Sequence, residues 1–330
     1  MSTNNINQNL TNLASPKIGT KVIEVSDDFF GEASRMLDDK EPVFIEDKYD
    51  EHGKWMDGWE SKRRRDGGND WAIIELGSPG IITEIDIDTS FFTGNFPPFA
   101  SIEGLYSDQK PSKDSDWIEI LSKTSLKGDS GNKFKIESKT KVNYIKLQIF
   151  PDGGVARLRL FGEVKLNWEN YENKNDLIEL SSLKLGGSIV AYNNAHYGDV
   201  SALLSHGRGK TMGDGWETRR RREPGNDWII IKLATKGLIK KIEIDTAHFK
   251  GNYPDQASVQ VSNFDKNKGL EEVINDSHNW KYILDKSKLQ ADNIHNYEVN
   301  DTSIKDVTHV RLNIYPDGGV SRLRIFGLKL

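Results

Sequence analysis

The sequence predicts an all-β protein built as two tandem, homologous jelly-roll β-sandwich domains. Two observations carry this expectation: an internal duplication, and a period-two alternation of apolar and polar residues inside each copy. Composition permits it. The chain has 330 residues, 36% hydrophobic and 29% charged, which suits about two domains with real cores.

The duplication is explicit. Asp57-Gly58-Trp59-Glu60, followed by Ser61-Lys62-Arg63-Arg64-Arg65 and Gly68-Asn69-Asp70-Trp71, returns as Asp214-Gly215-Trp216-Glu217, Thr218-Arg219-Arg220-Arg221-Arg222 and Gly225-Asn226-Asp227-Trp228, an offset of 214 − 57 = 157. Gly94-Asn95-Phe96-Pro97 returns as Gly251-Asn252-Tyr253-Pro254 at the same offset. Pro151-Asp152-Gly153-Gly154-Val155 with Arg157-Leu158-Arg159 returns as Pro316-Asp317-Gly318-Gly319-Val320 with Arg322-Leu323-Arg324, at 316 − 151 = 165. Upstream, Phe30-Gly31-Glu32 matches Tyr197-Gly198-Asp199 at 197 − 30 = 167. The changes in offset put insertions between blocks, where loops belong. Copies of this length are domains, not the short units of a solenoid.

Along the chain, residues 1–17 read as a flexible tail. The first 15 are rich in Asn, Thr and Ser, and no Lys or Arg precedes Lys17, so a secretory signal is not expected. Residues 18–166 form the first repeat. In Glu84-Ile85-Asp86-Ile87-Asp88 the isoleucines share one face and the carboxylates the other; 144–150 and 157–160 alternate in the same way. Such runs, separated by Gly, Pro, Asn and Asp, are the signature of half-buried antiparallel strands. Residues 167–182, rich in Asn, Glu and Lys, form the linker, and 183–330 the second repeat, with matching alternation at 310–315 and 322–325. Short helices are expected only near 29–37 and 199–204. Many short strands without a βαβ rhythm give a sandwich or jelly roll.

Several function classes fall away. The net charge of −5 (45 − 50) argues against nucleic-acid binding, which needs a basic surplus or face. No stretch approaches the ~20 apolar residues of a membrane span. Zero Cys removes disulfides, thiolate metal sites and a cysteine nucleophile. There is no HExxH, P-loop, Rossmann or Gly-x-Ser-x-Gly pattern. The cofactor is unknown from sequence: no metal motif is present, and a divalent metal held by dispersed His and carboxylates stays open. The ending Leu328-Lys329-Leu330 weakly echoes the peroxisomal Ser-Lys-Leu signal but has the wrong residue in the small position and reads better as the end of the last strand; the expected location is cytoplasmic or peroxisomal, not secreted.

The acid–arginine block carries the chemistry. A basic run alone is a solvated loop. Guanidinium forks beside Asp and Glu can instead hold a small polar ligand with a carboxylate and amide donors. Pro-Asp-Gly-Gly is either a hairpin turn or a place where backbone approaches a ligand. The copies also differ. Phe29, Phe91, Phe96 and Pro98 align with His196, His248, Tyr253 and Asp255, so the second copy is expected to carry more of the chemistry, with a site shared between copies as the alternative.

These doubled blocks, from about Gly19 to Leu330, resemble those of the allantoicase (allantoate amidinohydrolase) family. The resemblance implies galactose-binding-like sandwiches in a homo-oligomeric enzyme that converts allantoate and water to ureidoglycolate and urea in purine breakdown, releasing nitrogen. Allantoate carries one carboxylate and two ureido groups on one carbon, so arginines suit the former and Asp or Glu the latter. The expected catalytic residues are Glu60, Glu217, His248 and Asp255. Arg64, Arg65, Arg220, Arg221, Asn252, Tyr253, Asp317 and Arg322 are expected to bind substrate, with Glu60 or Glu217 and the following arginines lining one pocket. The competing reading is a non-catalytic tandem β-sandwich module that binds a small polar or carbohydrate ligand.

Overall fold

A long, bent strand organises each repeat. In the first, Asp70–Asp88 pairs through its early residues with Lys21–Val25 and Lys141–Phe150, and through its later residues with Arg157–Val164 and Gly131–Lys135. The strand therefore leaves one layer and enters the other. It does so around Gly77, Pro79 and Gly80, where a Cβ at Gly77 would collide with the Ile18 carbonyl. In the second repeat Asp227–Asp245 makes the same passage, pairing first with Ser188–Tyr192 and Val307–Tyr315, then with Arg322–Lys329 and Ile294–Glu298. All pairings are antiparallel, and each unit is a jelly-roll β-sandwich. The computed structural model describes residues 10–171, 176–264, 269–301 and 303–330. They fall into two compact units, 10–166 and 167–330.

The alternation read in the sequence becomes the core. Ile85, Ile87, Ile145, Leu147, Ile149 and Leu160 are fully buried in the first unit, and Ile242, Ile244, Val310, Leu312, Ile314 and Ile325 in the second. Each such side chain contributes roughly 1.5–3 kcal/mol by leaving water.

Three expectations are corrected. The tail is drawn too long: Thr11–Asn12 pairs with Phe161 and Gly162, and Leu13 and Ala14 are wholly buried. A two-residue strand has no periodicity to read, and its partner lies far along the chain. Residues 1–9 of that segment lie outside the described residues. The linker likewise ends early, because Ile178–Glu179 pairs with Phe326 and Gly327 and Leu180 is buried; residues 172–175 lie outside the described residues. The two helical candidates are short 3-10 turns, Ala33–Leu37 and Val200–Leu204, while the α-helix Leu270–Asp276 lies in an insertion of the second repeat. No described helix is long and apolar enough to cross a membrane.

Candidate active site

The tryptophans of the duplicated block set the site. Trp59 and Trp216 are completely buried, and each indole N–H donates to a backbone carbonyl, of Asp27 and Asn194 respectively, at 2.9 Å. The residue after each is thereby placed. Glu60 and Glu217 lie on the two-residue strands Trp59–Glu60 and Trp216–Glu217, paired with Gly154–Val155 and Gly319–Val320.

Each glutamate is held by the asparagine of the Gly-Asn-aromatic-Pro block. Asn95 Nδ2 donates to Glu60 Oε1 at 2.6 Å, and Asn252 Nδ2 to Glu217 Oε1 at 2.5 Å. Burial pushes the Glu60 carboxyl above the ordinary range, partly opposed by the Asn95 hydrogen bond, which favours the charged form. Glu60 and Asn95 line a cavity of about 580 Å³ with His52, Lys54, Thr93 and Asp129, against an apolar wall that includes Phe30, Phe44 and Phe91. A concave site with few polar groups and a perturbed acid suits small-molecule chemistry.

Much of that wall is a loop the second repeat lacks. The repeat offset falls from 167 to 157 between Phe30 and Asp57, so the first copy carries 167 − 157 = 10 extra residues there. These supply Phe44, His52 and Lys54. His52 rests on Phe29, with ring centroids 4.1 Å apart, and the Lys54 ammonium lies 4.5 Å from the Phe44 ring. Sequence reasoning missed His52, Lys54, Thr93, Asn95 and Asp129 as site residues. The offset drop was the signal for the first two.

In the second repeat the shorter connection closes onto the site instead. His248 Nε2 lies 2.7 Å from the Gly209 carbonyl. His248 and its counterpart Phe91 share a left-handed backbone, φ 69 in both, because Asp292 and Asp129 accept their amide N–H groups. Asp255 is exposed and ion-paired to Lys288, its oxygens 2.6 and 2.8 Å from Nζ. Among the described residues Asn252 hydrogen-bonds Glu217, whereas His248, Tyr253 and Asp255 do not. The expected trio is therefore not gathered around Glu217: one member is tied to backbone and another to a lysine.

The arginines also part from the glutamates. After Glu60 the chain is pinned by Ser61 N–H to the Gly153 carbonyl and by Arg64 N–H to Asp152 Oδ2 at 2.7 Å. This carries Arg63, Arg64 and Arg65 into a different cleft of about 420 Å³, shared with Asp27, Asp66 and Asp70. The expectation of one pocket for Glu60 and these arginines is thus corrected. Arg64 pairs with Asp66 and Asp70 at 3.5 and 3.6 Å, and Arg221 with Asp227 at 2.7 Å; Arg65 and Arg220 are exposed. Asp317 accepts the Arg221 amide N–H at 2.8 Å and so fixes the loop that carries the arginines. The second glycine of each Pro-Asp-Gly-Gly block likewise serves packing: a Cβ at Gly154 or Gly319 would strike the ring of Phe92 or Phe249.

Arg322 is 2% exposed, donating to the Gly207, Asp214 and Ser321 carbonyls and pairing with the Asp214 carboxylate at 2.9 Å. Arg157 does the same in the first repeat, with Lys40 and Asp57. A guanidinium so fully used is a brace for the loop before the tryptophan block, and the substrate role expected of Arg322 gives way to that one. Among the described residues no three His, Asp or Glu side chains cluster as metal ligands.

Comparison with known proteins agrees with this duplicated plan. The allantoicase repeat family matches residues 11–165 and again 178–330. A probable allantoicase of Burkholderia mallei is 48% identical over 317 residues, covering 96% of this chain and 94% of the relative. One from Acinetobacter baumannii is 47% identical, covering 96% and 93%. The crystal structure of Saccharomyces cerevisiae allantoicase superposes with a TM-score of 0.82 at 35% identity, covering 96% of this chain and 93% of that one. With both repeats matched and nearly the whole length shared, the chain belongs to the allantoicase family.

Proposed function

We infer that this protein is an allantoicase, a hydrolase that converts allantoate and water to ureidoglycolate and urea, and that turnover takes place in the cavity of the first repeat. The single observation that carries the placement is the Glu60–Asn95 pair inside that cavity, with the Glu60 carboxyl raised by burial. The reaction breaks one carbon–nitrogen bond, with water adding its oxygen to the carbon and its protons leaving for the urea nitrogen and the product. Glu60 serves as the base, because the Asn95 N–H stabilises its carboxylate and partial burial makes that carboxylate a stronger acceptor. His52, also on the wall, is the candidate donor to the departing nitrogen. Lys54 supplies the cation for the substrate carboxylate, a task the sequence had suggested for arginines. Thr93 and Asp129 remain to accept hydrogen bonds from ureido groups.

In this reading the second repeat is a scaffold that keeps the Glu217–Asn252 pair but builds a different wall around it. A homo-oligomer in the cytoplasm or peroxisome belongs to the same reading, which involves neither nucleic acid nor membrane. The test is urea release from allantoate by the purified protein, with and without a chelator. Turnover in both arms is expected; no turnover in either overturns the activity, and loss only with chelator replaces the Glu60-centred chemistry by a metal-dependent one.

A further inference from the structure

The outer face of the second repeat's sheet holds a buried cation that has no carboxylate partner among the described residues. In the first repeat Lys146 and Glu103 stand directly opposite each other on neighbouring strands and form an ion pair. The aligned residues of the second repeat are Arg311 (146 + 165) and Gln260 (103 + 157), again directly opposite. The cation is kept and the carboxylate has become an amide. Gln260 turns its Nε2 to the Trp280 carbonyl at 2.8 Å and accepts from Asn313, so it offers Arg311 no charge.

Arg311 is 3% exposed. Its Nε donates to Asn313 Oδ1 at 2.9 Å, its Nη1 bonds the Ser277 hydroxyl, and its Cζ stacks 4.5 Å from the Trp228 ring centre. These partners are neutral; among the described residues Nη2 has no hydrogen-bond partner and no carboxylate pairs with the guanidinium. Burial lowers the guanidinium to about 10, so it is still charged at neutral pH. A charge withdrawn from water without a partner costs several kcal/mol, and in the homologous position that cost is met by Glu103. Tyr282 is nearly half exposed, and the Tyr315 hydroxyl lies 3.0 Å from Ser258 Oγ.

We propose that Arg311 binds a small oxyanion, a carboxylate or a phosphate, in the place that Glu103 fills from within the first repeat. The end of a guanidinium offers parallel N–H groups that match two oxygens of either anion.

Thermal unfolding of the whole chain in acetate or phosphate, against chloride at equal ionic strength and pH, tests this on the unmodified protein and on Gln260→Glu, which restores the internal counter-ion. The midpoint of the unmodified protein should climb and saturate, by roughly 2–4 °C. Saturation in acetate identifies a carboxylate site, in phosphate a phosphate site. Gln260→Glu should show only the weak, non-saturating rise common to stabilising salts. Identical responses of the two proteins overturn the proposal. Calorimetric titration of the unmodified chain with acetate and with phosphate decides it without any variant: saturable heat over the millimolar range is expected, and its absence for both anions overturns the site.

Discussion

The two repeats share a skeleton and differ in what is hung on it. Both have a bent long strand, a buried Trp followed by a Glu–Asn pair, and a buried arginine bracing the loop before it. The first spends 10 extra residues (167 − 157) ahead of the tryptophan block and gains a cavity wall. The second spends its insertion later, on the helix Leu270–Asp276, and gains a cover over its outer face. The duplication thus keeps the Glu–Asn pair in both copies, while the longer loop gives the first copy a cavity beside it.

Exchanging the loops should produce the largest effect. Replacing residues 38–56 by 205–213 removes Phe44, His52 and Lys54, yet keeps a loop that a buried arginine already braces in the second repeat. Urea release should fall by at least about three orders of magnitude, the combined worth of an acid–base group and an oriented substrate. Far-UV circular dichroism and the melting point should change little, and retained turnover would show that the wall is dispensable.

Acid stability separates the repeats next. Burial holds His309, packed near Phe264 and Trp280, down at about 4, against ~6.5 for a free imidazole. With the folded value depressed, its neutral form contributes stability that is fully present above about pH 6.5 and is lost as pH falls through about 4, on the order of 3 kcal/mol. The aligned residue of the first repeat is Tyr144 (309 − 165). His309→Tyr should flatten the acid side of the stability profile, measured by urea unfolding between pH 7 and 4, and an unchanged profile would remove His309 as its cause.

The Asn95→Ala change should be smaller and visible mainly in the pH profile. Asn95 lowers the Glu60 value against the raising effect of burial. Without it the carboxyl protonates at higher pH, so the rising acid limb of kcat/KM should move upward and the rate at neutral pH fall roughly tenfold. A neutral-pH rate that rises instead would mean that Glu60 works in its protonated form, and an unmoved limb would remove Glu60 as the group behind it.

The sequence revealed the sheets more fully than the site. Period-two runs such as 84–88 and 144–150 exposed strands because one face meets a core, and the exact repeats exposed the duplication. The same alternation put Arg157 and Arg322 on the polar faces of their strands and Arg322 was expected to bind substrate, whereas the loops before the tryptophan blocks fold over both, an arrangement no local pattern encodes. His52 and Lys54 escaped notice because they stand outside every repeated block. A length difference between the repeats, not a change of residue type, brings them to the cavity. His248 illustrates the converse: a titratable group in place of Phe91 that the structure gives to a backbone carbonyl.

The most direct test of the central claim is urea release from allantoate by Glu60→Gln and Glu217→Gln, measured side by side on folded protein. Glutamine can keep the asparagine contact through its carbonyl while losing the ability to take a proton. The account predicts that Glu60→Gln loses about 10²–10⁴-fold in kcat while Glu217→Gln stays within a few-fold of the unmodified protein. Equal losses in both variants, or a loss confined to Glu217→Gln, would contradict it.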